Sequence, residues 1–106
     1  MKTYDLYGIA AVSLEEAREI VEVTLRIHMQ AHESGYHGGV YYRMNDVGSE
    51  HFLLKRNYDD CEVEWAEPQH KEWPFLLYVN ETARSNDVRA LFSSVTAASL
   101  LRHRTV

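Results

Sequence analysis

The chain has 106 residues, of which 45% are apolar and 25% charged, the balance of an ordinary globular protein and a length that fits one domain. Its 2 prolines and 5 glycines exclude a long linker, and no apolar run approaches the ~20 residues of a membrane-spanning helix. The net charge is −5. One cysteine, Cys61, excludes an internal disulfide framework and a cysteine-based zinc knuckle. Asp5 and Gly8 interrupt any signal-peptide core near the start, so a cytosolic location is expected.

Tyr4 to Ala10 reads as a strand, with Tyr4 and Leu6 on one face and Tyr7 and Ile9 on the other, so both faces should be covered. Ser13-Leu14-Glu15-Glu16 is a capping box that starts a helix. Ala17, Ile20, Val21, Thr24, Leu25 and His28 fall on one stripe, which predicts a helix running to about His32 or Glu33, with Gly35 as a left-handed cap. Val40–Met44 and His51–Tyr58 read as strands around a hairpin loop at Asn45–Ser49. Asp60 to Trp65 alternates, with Cys61, Val63 and Trp65 against Asp60, Glu62 and Glu64, the pattern of an extended segment with one acidic face in water. Pro68 breaks it.

Phe75–Val79 is the most apolar run and suits an interior strand. Val88, Leu91, Phe92, Val95 and Ser99 mark a second helix, with Ser85 or Thr82 as its N-cap. Leu100–Val106 either extends that helix or forms a last strand; Thr105 and Val106 favour the strand. The expected architecture is a single α+β domain over residues 1–106. Two helices pack on one face of a mainly antiparallel sheet of four or five strands, in the order β-α-β-β-β-α with room for a final β.

The stretch from Asn57 to Pro74 holds Asp59, Asp60, Glu62, Glu64, Glu67 and Glu72 against Lys71 alone. It carries the whole net charge, and the rest of the chain is neutral. Such a segment repels a phosphate backbone, which disfavours nucleic acid, and attracts a basic protein. Trp65, Trp73 and Tyr58 lie in the same stretch. Aromatic anchors among steering charges are the composition of a protein-binding hot spot, so Tyr58, Asp59, Asp60, Glu62, Glu64, Trp65, Glu67, Glu72 and Trp73 are the expected partner-binding residues. The competing view is a loop that only keeps the protein soluble, with each indole in the core.

Catalysis has little support. Carboxylates around Cys61 suppress its thiolate, and the chain has neither a G-x-S-x-G turn nor a phosphate loop. His28 and His32 are four apart, with His37 following, which gives a metal-binding protein or metal-dependent enzyme as one alternative reading. The glutamate that a helical zinc protease places after its first histidine is Met29 here, so no cofactor is expected. A homo-oligomeric structural protein joined through an exposed sheet face is another alternative.

In its overall build, a short acidic α+β chain with an aromatic-studded stretch at Asp59 to Trp73, the sequence resembles the small immunity proteins of bacterial polymorphic toxin and contact-dependent growth inhibition systems. The resemblance is architectural and carries no diagnostic motif. It implies a cytosolic, non-enzymatic antitoxin that binds a cognate basic toxin domain.

Overall fold

The computed structural model describes residues 2–34, 39–60 and 62–106. Its main sheet has six strands in the order β2-β3-β4-β7-β1-β8: β1 Thr3–Ile9, β2 Gln30–Ser34, β3 Gly39–Met44, β4 His51–Arg56, β7 Phe75–Thr82 and β8 Ala98–Thr105. Every neighbouring pair is antiparallel. A separate two-stranded ribbon, β5 Tyr58–Asp59 with β6 Glu64–Trp65, and a 3-10 turn at Pro68–His70 lie between β4 and β7. The helices are α1 Leu14–Leu25 and α2 Ser85–Phe92.

The expected class holds, with six strands in place of four or five. β1 is two-faced as its sequence requires: Leu6 and Tyr7 are each 1% exposed, on opposite sides. The apolar run of β7 is interior, flanked by β1 and β4. The two crossovers, β1 through α1 to β2 and β7 through α2 to β8, lead towards opposite edges from strands that run in opposite directions. Crossovers of one hand therefore set both helices on the same face. There Leu14, Ala17, Val21 and Leu25 of α1 and Val88 and Phe92 of α2 meet Tyr7, Ile9, Phe52, Leu54, Leu77 and Val79. Burying side chains of this size contributes roughly 1.5–3 kcal/mol each.

Helix α1 starts as read, on the Ser13 hydroxyl, which accepts the Glu16 amide at 3.1 Å. The return bond goes to the Val12 amide rather than to Ser13. The helix ends seven or eight residues earlier than its stripe suggests. Arg26 takes the left-handed conformation (φ 55), the Ile27 amide closes on the Glu22 carbonyl, and the Glu22 carboxylate accepts the Met29 amide at 2.8 Å. Ile27 and Met29 then alternate into the core, a period of two that leads into edge strand β2. His28 is thereby outside the helix and His32 lies on a strand, so the two do not share a helix face. Gly35 and His37 lie outside the described residues.

Two more expectations are corrected. Residues 60–65 do not form one extended segment. Asp60, Glu62 and Val63 are in a turn that closes the ribbon, and Val63 is 72% exposed instead of facing the core. Cys61 lies outside the described residues. Helix α2 stops at Phe92, its N-cap is Arg84 without a side-chain bond, and Ser99 belongs to β8. Thr82 still braces that start, because its hydroxyl accepts the Arg84 amide at 3.1 Å. The last strand forms, beginning two residues earlier than Leu100. No described helix is long and apolar enough to cross a membrane.

Candidate docking hairpin and the open sheet face

The face of the sheet away from the helices carries the excursion from residue 57 to 74, and Asn57 closes it. Asn57 is fully buried, and its amide group donates to the carbonyls of His70 and Trp73, both at 2.9 Å, while its side-chain oxygen accepts the Glu67 amide at 2.9 Å. Its backbone bonds Pro74 and Ala66 as well. One side chain thus fixes three points of the excursion.

Trp73 anchors the far end against β1. An ideal Cβ on Gly8 would overlap the Trp73 indole, so glycine is what admits the ring to the sheet surface. Glu67 supplies the third attachment. Its carboxylate accepts from Tyr78 Oη at 2.7 Å, Arg102 Nη1 at 3.0 Å and Gln69 Nε2 at 3.1 Å, tying the excursion to β7 and β8. Burial pushes this carboxyl up, but the Tyr78 and Arg102 bonds outweigh it and hold Glu67 below the usual glutamate range. The Tyr78 phenol is raised strongly, by burial first and then by Glu67.

Beyond these anchors the ribbon projects its acids. Tyr58 pairs with Trp65 across the ribbon, ring centroids 4.9 Å apart, and Asp59 pairs with Glu64. Asp60, Glu62, Glu64 and Glu72 are exposed, and Tyr58, Asp59, Trp65 and Trp73 are half-buried. Asp59 accepts the Glu62 amide at 3.1 Å, which shapes the turn. Val63 sits between the two exposed glutamates at φ 54, a left-handed conformation that is an outlier for a β-branched residue. Lys71 holds its ammonium 5.8 Å from the Trp65 ring centroid. Eight of the nine expected partner-binding residues are thus at least partly accessible. Glu67 differs from the others: it is buried, and its carboxylate is taken up by internal bonds that position the hairpin.

The histidine cluster is dispersed. The His28 side chain is 83% exposed and its Nδ1 lies 3.5 Å from Glu22, while His32 stacks on Tyr41. Both border a cleft of about 400 Å³ in which the facing charge is Arg43, already paired with Asp46. Among the described residues no group of three or more His, Cys, Asp or Glu side chains could hold a metal ion.

A feature missed from the sequence is the basic character of the open sheet face. Arg102 and Arg104 lie opposite Leu6 and Tyr4, Lys55 opposite Leu76, and Arg43 opposite Leu53, which sets all four cations on the side away from the helices. Burial lowers the Lys55 ammonium pKa, and Asp59 and Glu67 pull it partly back. Arg102 and Arg104 are two apart in sequence, which signals a shared face once the final strand is recognised. Comparison with protein-family models, curated proteins and solved structures finds no match to this chain.

Proposed function

We propose that this protein is an inhibitory binding module of the immunity-protein kind, which acts by occluding a basic partner protein, a toxin domain, and not by catalysis. The observation that carries the reading is a rigidly mounted hairpin whose turn displays an apolar residue in an unfavourable conformation between two exposed carboxylates. Asn57, Glu67 and Trp73 hold the base. Glu62, Val63 and Glu64 point outward, with Asp60 and Glu72 beside them. Glycine or asparagine would take a positive φ at less cost than a β-branched residue does. Preorganisation of this kind lowers the ordering cost of association, and the acids steer a basic surface towards it. Tyr58 and Trp65 supply the apolar contact at the ribbon's base.

The test is a paired capture, in which wild-type protein and a Glu62→Lys/Glu64→Lys variant are used as baits against an extract of the source cells. The reading expects a basic protein retained by the wild type and depleted with the variant, and expects the wild type to inhibit that protein's activity. Retention of the same proteins by both baits overturns it. Circular dichroism of the variant should match that of the wild type, since both substitutions are at exposed positions.

A further inference from the structure

The open face holds a second cleft that the hairpin does not use. It lies over β7, β1 and β8, has a volume of about 350 Å³, and is lined by Tyr4, Asp5, Tyr78, Asn80, Arg102, Arg104 and Val106. That volume is at the small end of those that take small ligands. Three neighbouring clefts have their charges balanced from within. Arg43 is met by Asp46 in the histidine cleft, Arg56 and Lys71 by Asp60 and Glu72 in the groove beside Trp65, and Lys55 by Glu64 in the cleft next to Tyr78.

This one differs in a single guanidinium, that of Arg104. Asp5 borders the cleft, but its carboxylate is turned to the helix side, where it accepts from Ser85 at 2.6 Å and pairs with His103. Glu67 is spent on Arg102 and Tyr78. The Arg104 guanidinium has no ion-pair or hydrogen-bond partner among the described residues, and it stands across the sheet from Tyr4. The fittings around it are fixed beforehand: Arg102 and Tyr78 are held by Glu67, and Asn80 lies 3.3 Å from His51 Nε2. A free forked cation beside a second, immobilised guanidinium matches the two oxygens of a carboxylate or phosphate. The Tyr4 and Tyr78 rings give the cleft flat apolar surface as well as polar tips.

We propose that this cleft binds a small ligand bearing one oxyanion, carboxylate or phosphate, on a flat apolar body. Arg104 takes the oxyanion, Arg102, whose charge is met by Glu67, stands fixed beside it, and the body lies against Tyr4 and Tyr78. This proposal is independent of the hairpin's role.

Calorimetric titration with benzoate, phenyl phosphate and inorganic phosphate tests it and tells the two oxyanion sources apart. The expected result is saturable binding of benzoate or phenyl phosphate at roughly millimolar Kd or tighter. Arg104→Gln should weaken it by about tenfold or more, Arg104→Lys by less, because the charge remains but the fork is lost. Arg56→Gln, which removes a guanidinium elsewhere, should leave it unchanged. Absence of saturable binding by both aromatic probes, or equal weakening by Arg104→Gln and Arg56→Gln, overturns the proposal. Inorganic phosphate binding as tightly as phenyl phosphate overturns the part assigned to the tyrosine rings.

Discussion

The Trp73 indole occupies the space that any side chain at Gly8 would fill. An interior strand, next to the edge strand β8, has given up a side chain, and with it some β propensity, so that a residue from a distant excursion can lie on its surface. The contact couples the sheet to the acidic hairpin: whatever displaces the indole also loosens the Trp73 carbonyl from Asn57.

Substituting Gly8→Ala should therefore destabilise the protein by roughly 1–3 kcal/mol, the range for overpacking a filled site. The loss should come with a red shift of tryptophan emission as Trp73 moves into water. Thermal melting and fluorescence of the variant check both. A melting temperature equal to that of the wild type, with unchanged emission, contradicts the contact.

Asn57→Ala removes three side-chain hydrogen bonds at a fully buried position, stripping the Trp73 carbonyl and the Glu67 amide of their Asn57 partner, while the His70 carbonyl keeps the Trp73 amide. An expected loss of roughly 2–4 kcal/mol follows from unsatisfied buried groups. Hydrogen exchange should locate it, with amides of the 57–74 excursion deprotected while those of β1 and β7 keep their protection. Uniform deprotection of the sheet would mean that Asn57 supports the whole core.

The acid limb of stability should depend on Glu67 and Glu50. Both titrate below the ordinary glutamate value of 4.5 in the folded chain, Glu67 through Tyr78 and Arg102 against the pull of burial, and Glu50 chiefly through its Arg84 bond. A lowered folded value means that their stabilisation is complete above about pH 4.5 and is lost as the pH falls through the folded value. Glu67→Gln should cost roughly 1.5–3 kcal/mol at neutral pH and flatten the fall below pH 4.5. Denaturant melts at a series of pH values measure this. A variant whose stability falls as steeply as the wild type's rules out Glu67 as a source of the acid limb.

Tyr7→Phe should be close to neutral, or stabilising by up to about 1 kcal/mol. The Tyr7 hydroxyl is enclosed without a hydrogen-bond partner among the described residues, and the phenol is pushed up to about 12, by burial first and then by the Asp5 carboxylate, with Arg89 offsetting part of this. The ring itself is what matters, packed against Phe92 at a centroid separation of 4.7 Å. A loss above about 1 kcal/mol would show that Arg89 and the hydroxyl form a bond that contributes to the fold.

Much of this fold is legible in short-range pattern. The five apolar residues at Phe75–Val79 can only be an interior strand, and the Asn45–Ser49 turn announces itself through residues that tolerate positive φ, as Asn45 (φ 63) and Gly48 (φ 102) do. Strand β2 is not legible, because an exposed edge strand such as Gln30–Ser34 carries no alternation and the helical stripe runs on to His28. The end of that stripe is decided by the Glu22 carboxylate reaching the Met29 amide, a contact that spacing does not encode. The hairpin was visible as composition but not as geometry. Alternation assigns Val63 to the core with Trp65, yet a turn at that point reverses the chain and puts Val63 outside. Nor does local sequence separate Glu67 from Glu64. Their difference lies in Arg102, 35 residues away, and Tyr78, 11 residues away.

The most direct measurement of the docking reading is the association rate, as a function of salt, between this protein and the basic protein that it captures. For the wild type the account predicts a rate that falls steeply as ionic strength rises. With Glu62→Lys/Glu64→Lys it predicts a rate slower by about tenfold or more at low salt, with little salt dependence left. Equal association rates for the two proteins across the salt series would contradict it.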